Sequence, residues 1–405
     1  MISVRDAQAH ILDRITAAVP PELLPLAAAL GRVLADEVRA EMDVPPTDNS
    51  AVDGYAVASA DSPGTGARAL DVVAELAAGS VFAGTLRSGQ ALRIMTGAPM
   101  PDGADTVYPQ EVVERRGDSV IVGPLAAGAN TRRRGEDVQA GAVVLPAGGV
   151  LRTQEIGVAA SLGLAQLLVR RKPRVAILST GDEVAEPGSV RKPGQIYDSN
   201  RFSLRGLVEA AGATAVDDGI VPDQFDELHA RLLRAAEHAD VVLTSGGVSV
   251  GDYDLVKAVL QEIGGQQAGG IDFWQVAMQP GRPLAFGSIG RAHFFGLPGN
   301  PVASMLTFHL FVRPALWKLA GRRDLFLQSF RAIAVEAMSK KAGRREFKRG
   351  ILAYAHDRWE VHTTGPQGSG ILSSMTAANC FVVIEEERGD VSVGEPVWVE
   401  PFQPL

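Results

Sequence analysis

From Ser3 to about Val19 the apolar positions Val4, Ala7, Ile11, Leu12, Ile15 and Val19 recur at helical spacing, and Pro20-Pro21 stops the run. The spacing predicts an amphipathic helix at the start of the chain. Short segments follow in LPLAAALGRVLADEVRA, and from Asp43 to Ala140 the chain becomes rich in glycine and proline, with brief runs such as Asp105-Thr106-Val107 and Ser119-Val120-Ile121-Val122. That texture predicts a β-rich domain with long functional loops. A strand-like run (Ala142-Val143-Val144-Leu145) and a helix-like one (Thr153 to Leu162) then return to the first unit, so the β-rich stretch reads as an insertion.

Beyond Pro173 strands and helices alternate. Arg174-Val175-Ala176-Ile177-Leu178-Ser179 reads as a strand, Asn200 to Ala211 as a helix, and Asp223 to His238 as a helix with Phe225, Leu228, Leu232 and Ala236 on one face. Val241-Val242-Leu243 and a helix after Asp254 complete an α/β pattern, whose ligands belong where strand carboxyl ends meet loops. Three such ends carry polar punctuation: Thr180-Gly181-Asp182-Glu183, Thr244-Ser245-Gly246-Gly247 and Gly296-Leu297-Pro298-Gly299-Asn300-Pro301. We expect them to converge on one crevice. After Leu319 the runs Trp359-Glu360-Val361-His362, Phe381-Val382-Val383-Ile384 and Pro396-Val397-Trp398-Val399 lack helical periodicity and suit a small all-β domain. The expected fold is thus multidomain, α/β and β. It has an N-terminal helix (residues 1–20) packing on the α/β domain and a linking domain (residues 21–42 and 141–170). An inserted β-rich domain (residues 43–140), a central α/β domain (residues 171–322) and a C-terminal small β-barrel-like domain (residues 323–405) complete it.

Composition changes this picture only in part. A length of 405 residues agrees with two to four domains at roughly 150 residues each. A net charge of −8 gives no general attraction to nucleic acid, so an anionic ligand needs local basic groups. Arg132-Arg133-Arg134 and Gly343-Arg344-Arg345-Glu346-Phe347-Lys348-Arg349 are the clusters that concentrate positive charge. The single cysteine, Cys380, excludes an intramolecular disulfide and argues against a thiolate zinc site. No apolar segment reaches the roughly 18 residues that span a bilayer, and no leader opens the chain, so the reading is cytoplasmic with no membrane partner.

The chemistry-bearing stretch is TSGGVSVGDYDLVK from Thr244. Glycines let a backbone approach a ligand closely, Ser245 and Ser249 add hydroxyl donors for anionic oxygens, and Asp252 and Asp254 suit a hard cation. Lys257 stands ready to neutralise charge or pair with Asp254. A plain strand-to-helix turn, with Asp254 as the helix cap, is the competing account of the same residues. Elsewhere, Asp48 and Asn49 have turn chemistry, whereas Asp53 before Gly54 is the better functional candidate. Thr96 sits in a tight turn after Arg93-Ile94-Met95, and Arg134-Gly135-Glu136-Asp137 sets acids beside bases as an exposed ion-pair cluster would.

Taken together these strings resemble the molybdopterin molybdenumtransferase family, which includes the bacterial MoeA proteins and the E domain of gephyrin. The resemblance rests on DNSAVDGYAV from Asp48, RIMTGAPMPDGAD from Arg93, RRRGEDV from Arg132, STGDEV from Ser179, GQIYDSN from Gly194, TSGGVSVGDYD from Thr244 and FGLPGNPVAS from Phe295, followed by TGPQGSG and NCFVVIE. It implies a central molybdopterin-binding domain, an elongated homodimer, and magnesium-assisted hydrolysis of adenylylated molybdopterin, with release of AMP and insertion of molybdate. An upstream molybdopterin adenylyltransferase would donate the substrate. By matching motif, the catalytic positions implied are Asp53, Thr96, Asp137, Glu183, Asp223 and Asp254, with Glu183 and Asp254 as magnesium ligands. The implied binding positions are Ser245, Gly246, Gly247, Ser249, Arg282, Pro298, Gly299, Asn300, Arg349 and Ser369, the last pair suited to molybdate. Thr96, Asp53 and Asp137 would reach the crevice most easily from the other subunit. One departure stands out: where many members carry lysines before the proline-glycine pair, this chain has Gln275 and Gln279, leaving Arg282 as the only cation of that loop. Two rivals are a molybdopterin adenylyltransferase, with its relative the competence-damage-inducible protein, and a catalytically silent scaffold. The first does not explain the insertion or the β-rich tail, and the second has no need of clustered acids.

Overall fold

The apolar runs that begin at Arg174, Thr214, Val241 and Ala292 form parallel neighbours in one six-stranded sheet. Its order is Thr214–Val221, Arg174–Thr180, Val241–Ser245, Ala292–Leu297, then the antiparallel Pro283–Ile289 and Ile271–Gln275. The structure, a computed structural model, describes residues 1–246, 255–265 and 270–403. Gly247, Ser249, Asp252 and Asp254 therefore lie outside the described residues.

Both faces of this sheet are covered, which is why its central strands read as unbroken apolar runs rather than alternating ones. On one face Val175, Ile177 and Leu243 pack with Leu204 and Val208 of helix Asn200–Ala210 and with Val302 and Leu306 of helix Pro301–Thr307. On the other, Ala176, Leu178 and Val242 meet Leu228, Leu232 and Ala235 of helix Phe225–His238 and Val256, Val259 and Leu260 of helix Leu255–Gly265. Ala236 packs half-buried against this core as expected, and Ala235 beside it is the fully buried alanine of the stripe.

The opening helix is shorter than its periodicity suggests, Val4–Arg14, with Ile15 already extended at φ −91° and ψ 92°. Ile15 and Val19 are buried all the same. Tertiary packing holds them without helical geometry, because Val4, Ala7, Ile11 and Ile15 share the core of the α/β sheet, and the chain must straighten before Pro20-Pro21.

Past those prolines, Pro21–Pro25 pairs antiparallel with Gln166–Arg170, and Val38–Arg39 with Val143–Leu145. Ala29, Leu34, Leu145, Leu151, Ala159 and Leu167 form the small core beneath these pairs. Between the two halves a second six-stranded sheet runs in the order Thr106–Pro109, Gly54–Val57, Gln90–Ile94, Arg68–Leu76, Ser119–Val122, Glu114–Arg116. Residue 54 must be glycine here, since a Cβ would collide with the Tyr108 carbonyl of the neighbouring strand.

The tail closes a five-stranded barrel. Arg345–Ala355 pairs with both Arg358–Thr363 and Cys380–Ile384, and Pro396–Pro401 joins the latter to Phe330–Ala334, which returns to Arg358–Thr363. A short helix, Ser373–Ala377, interrupts the expected all-β pattern. Cys380 lies inside the barrel, where burial pushes its thiol up to about 12, so it stays protonated and inert.

The basic run at residues 343–349 is not the cationic face the sequence suggests. Arg345 pairs with Glu386 at 3.2 Å, and Lys348 with Glu346 at 2.6 Å. Arg349, implied by the family motif as a molybdate ligand, is 0% exposed. Its Nε donates to Ser374 Oγ at 2.9 Å, Nη1 to the Gln367 carbonyl at 2.9 Å, and Nη2 to the carbonyls of Pro366 and Gly368 at 3.1 and 3.0 Å. Desolvation lowers the guanidinium pKa without any compensating carboxylate. In this arrangement Arg349 clasps the TGPQGSG loop instead of presenting charge to solvent.

At the opposite end of the α/β sheet, Asp240 accepts two bonds from Arg171, at 2.6 and 2.7 Å, and one from the Arg174 backbone N–H at 2.8 Å. Burial would raise the Asp240 pKa, but Arg171 and the Arg174 amide outweigh it and hold the carboxyl below its usual range. A depressed folded-state pKa adds stability above the unfolded value and loses it as pH falls through the folded one. Asp240→Asn should therefore cost about 2 kcal/mol at pH 7 in urea unfolding, with the difference from the parent shrinking below about pH 4; a pH-independent difference would refute the ion-pair account. Arg349→Met should cost about 3 kcal/mol by orphaning several buried loop oxygens, and a loss below 1 kcal/mol would refute the clasp.

Candidate active site

Register places the three polar strand ends side by side: Ser179 is opposite Ser245, and Ser245 opposite Leu297. They open into one crevice of about 290 Å³, lined by Ser179, Thr180, Glu183, Asp198, Asn200, Ser245, Gly246, Gly299 and Pro301, with Gly370 and Leu372 entering from the tail. The tail arrives there because the loop held by Arg349 also docks on the helix after the crevice: the Val302 N–H donates to the Ser369 carbonyl at 3.1 Å. Ser369 is thus beside the crevice through its backbone. Pro298 is buried, while Gly299 and Asn300 are exposed at the start of helix Pro301–Thr307.

Gly246 adopts φ +95°, and a Cβ there would stand 3.1 Å from the Thr180 carbonyl, so this turn demands glycine. Its N–H, however, already donates to the Leu297 carbonyl at 3.1 Å. That amide is committed to the sheet rather than free for a phosphate, contrary to the simplest cradle reading. The Ser245 hydroxyl beside it accepts from Asn200 Nδ2 at 2.7 Å, and the same Nδ2 donates to the Gly299 carbonyl at 2.7 Å. Ser179 Oγ and Asn200 Oδ1 are buried oxygens without a hydrogen-bond partner among the described residues.

Asn200 was not singled out from the sequence, although GQIYDSN contains it. Its neighbour Arg201 is the reason the segment is rigid. Arg201 is buried and ion-paired to Asp198 at 2.9 Å, to Asp217 at 2.5 Å and to Glu186. Desolvation opposes its charge, but the three carboxylates raise its pKa on balance.

Acids gather at one rim of the crevice. Gly181, at φ +130°, leaves room for the Glu183 carboxylate, which a Cβ at that position would overlap. Strand pairing puts Val221 opposite Thr180, and the Asp223 N–H donates to Asp182 Oδ1 at 3.1 Å. Burial, then the charges of Asp182 and Glu183, raise the Asp223 pKa. Among the described residues none of these three carboxylates has an ion-pair partner. Nor does any group of three or more His, Cys, Asp or Glu among them have the geometry to hold a metal ion. Carboxylate oxygens that lack a cationic partner among the described residues are hard donors, suited to a hard cation rather than a thiophilic metal.

A second patch lies in the inserted domain. Asp53 Oδ1 accepts from both the N–H and the hydroxyl of Thr96, each at 2.7 Å, which lowers its pKa, the amide contributing most. Asn49–Ser50 pairs with Thr131–Arg132, while Ser50 also bonds Gly97 and Ala98, so the same short strand carries the Thr96 turn and the RRRGED segment. Arg132, Glu136, Asp137 and Asn49 line a cavity of about 490 Å³ there. Arg133 and Arg134 do not add free charge to it: they bind Asp48 and Asp43, at 3.2 and 2.5 Å. No described hydrogen bond or ion pair joins Asp53, Thr96 or Asp137 to the crevice of the α/β domain within the chain.

Arg282 is exposed and donates from Nη2 to Gln275 Oε1 at 2.7 Å, while Gln279 pairs with Glu346 in the barrel strand. The loop's one cation is therefore steered by Gln275.

Known proteins match this architecture from end to end. Three family models align in series: the MoeA N-terminal region (domain I and II) over residues 2–163, a probable molybdopterin binding domain over residues 176–318, and the MoeA C-terminal region (domain IV) over residues 331–402. A molybdopterin molybdenumtransferase of Haemophilus influenzae is 40% identical over 100% of both chains. Molybdopterin molybdenumtransferase 2 of Mycobacterium tuberculosis is 38% identical over 98% of this chain and 99% of its own. The crystal structure of the molybdopterin biosynthesis moeA protein from Pyrococcus horikoshii OT3 superposes with a TM-score of 0.86 at 33% identity, covering 99% of this chain and 100% of that one. With the fold, the order of its parts and relatives of equal length all in agreement, the chain belongs to the molybdopterin molybdenumtransferase (MoeA) family.

Proposed function

We propose that this protein is a molybdenum transferase of molybdenum cofactor biosynthesis that inserts molybdate into adenylylated molybdopterin, with magnesium-dependent hydrolysis and release of AMP. Its full-length relatives carry the transferase name, and that supports the class of reaction. The observation that carries the finer reading is the crevice itself, where a serine hydroxyl, glycine turns and an uncompensated acidic rim meet at three parallel strand ends. Ligands of open parallel sheets bind at such ends.

In this reading the Ser245 hydroxyl and the strand-end turns orient the adenylate phosphate, and Glu183, with Asp254 beyond the described residues, would hold magnesium. When bound, that ion supplies charge neutralisation for phosphate oxygens during cleavage of the phosphoanhydride. Asp182 and Asp223 keep the rim anionic. Asp53, which the Thr96 amide and hydroxyl keep ionised, and Asp137 act from the inserted domain of a second subunit, so the active enzyme is a homodimer. Ser369 and Arg282 serve the oxyanion, and Arg349 contributes by holding the Ser369 loop. A molybdopterin adenylyltransferase supplies the substrate, and the reaction takes place in the cytoplasm.

The test is reconstitution of an apo-molybdoenzyme by the purified protein from adenylylated molybdopterin, magnesium and micromolar molybdate, with AMP release followed in parallel. Molybdate-dependent AMP release with recovery of enzyme activity is expected; adenylylation of molybdopterin from ATP without that release would replace this reading with the adenylyltransferase one. Asp53→Ala and Glu183→Ala should each lower the maturation rate at least about 100-fold while leaving the dimer intact by light scattering. Normal maturation by both variants would reject the site assignment. Asp223→Asn should raise the thermal midpoint of the metal-free protein at pH 7, because a folded-state pKa above the unfolded one costs stability once the group ionises; the gain should vanish near pH 3, and a lower midpoint at pH 7 would contradict the crowding of the rim.

A further inference from the structure

We propose that Asn200 is a positioning residue that sets the Ser245 hydroxyl as a hydrogen-bond donor toward an anionic oxygen in the crevice. The assignment rests on the adenylate-binding role of that crevice and names the group that does the orienting.

The side-chain amide of Asn200 can face only one way. The Gly299 carbonyl has no proton to give, so the atom 2.7 Å from it must be Nδ2. The same nitrogen lies 2.7 Å from Ser245 Oγ, and its second proton is directed there. Ser245 Oγ is therefore an acceptor toward Asn200, and its own proton is left for another partner. The adjacent Gly246 amide already donates to Leu297, so among the described residues of this strand end the Ser245 hydroxyl is a donor that the sheet does not use.

Stiffness follows from the next residue. Asn200 opens helix Asn200–Ala210, and Arg201 is fastened to Asp198 through both its backbone N–H at 3.1 Å and its Nε at 2.9 Å. Asn200 thus bridges two strand-end turns from a fixed base, tying Ser245 to Gly299. A hydroxyl held in this way loses little rotamer freedom when it meets a phosphate oxygen, and a donor to an anion is worth more than one to a neutral acceptor.

AMP binding to the full chain by titration calorimetry, with Asn200→Leu, Ser245→Ala and the double variant, tests the assignment. Asn200→Leu keeps the branching of the side chain at Cγ, removes both its donor and its acceptor, and adds no charge. Each single change is expected to weaken AMP roughly tenfold, and the double variant no more than about twofold beyond either, since both remove one oriented donor. An additive loss near a hundredfold, or no loss from Asn200→Leu, overturns the positioning role while leaving the adenylate reading intact. Failure of the unsubstituted protein to bind AMP overturns the adenylate reading itself, a result visible before any substitution. If Asn200→Leu does not fold, Ser245→Ala decides alone: unchanged AMP affinity means the hydroxyl donates to no ligand oxygen.

Discussion

The parallel register that sets Ser179 beside Ser245 and Ser245 beside Leu297 is the constraint on which the candidate site depends. Parallel strands end at the same edge, and each must hand its chain to a turn without leaving backbone groups unpaired. Three consecutive handovers at one edge produce a crevice with no further design. What distinguishes this edge is the composition of the turns: Gly181 and Gly246 accept φ values closed to other residues, and that frees space for Glu183 and for the approach of Thr180. The site is therefore a property of sheet order first and of side chains second.

Around this edge the protein spends its buried cations on structure. Arg201 binds three carboxylates beneath Asn200, and Arg349 binds loop carbonyls behind Ser369. Lys340 does the same in the barrel, its Nζ 2.6 Å from the Arg388 carbonyl. Acids are treated the opposite way, and Asp182, Glu183 and Asp223 have no ion-pair partner among the described residues. Fixing loops with buried positive charge while leaving negative charge exposed suits a site whose charged ligands bring or require a cation.

Much of this was legible in the sequence, for identifiable reasons. Continuous runs such as Val241-Val242-Leu243 have no polar alternation because both faces of a parallel sheet are covered, and glycine turns mark where such strands end. The convergence of the three turns followed from the α/β pattern alone. The clasp made by Arg349 was not legible, because a loop that follows it by some seventeen residues covers the guanidinium and strand periodicity carries no trace of that cover. The early end of the first helix has the same origin, since Ile15 meets the core and Val19 is buried whether or not they are helical. Asn200 escaped notice because an asparagine at the start of a helix draws attention only as local end chemistry, whereas this one turns its amide toward Ser245 on another strand and toward the Gly299 turn.

The discontinuous linking unit has a consequence for how the chain is made. Pro21–Pro25 finds its partner only at Gln166–Arg170, and Val38–Arg39 only at Val143–Leu145, so its first half leaves the ribosome long before its second. The inserted sheet between Gly54 and Val122 has all its partners within itself and can close during that interval. Closing it brings Val38 and Val143 to the same end of a folded body and shortens the loop that the linking strands must still search across. Vectorial synthesis thus turns a contact separated by more than a hundred residues into a local one, and the insertion serves as the jig on which the domain that carries it is assembled.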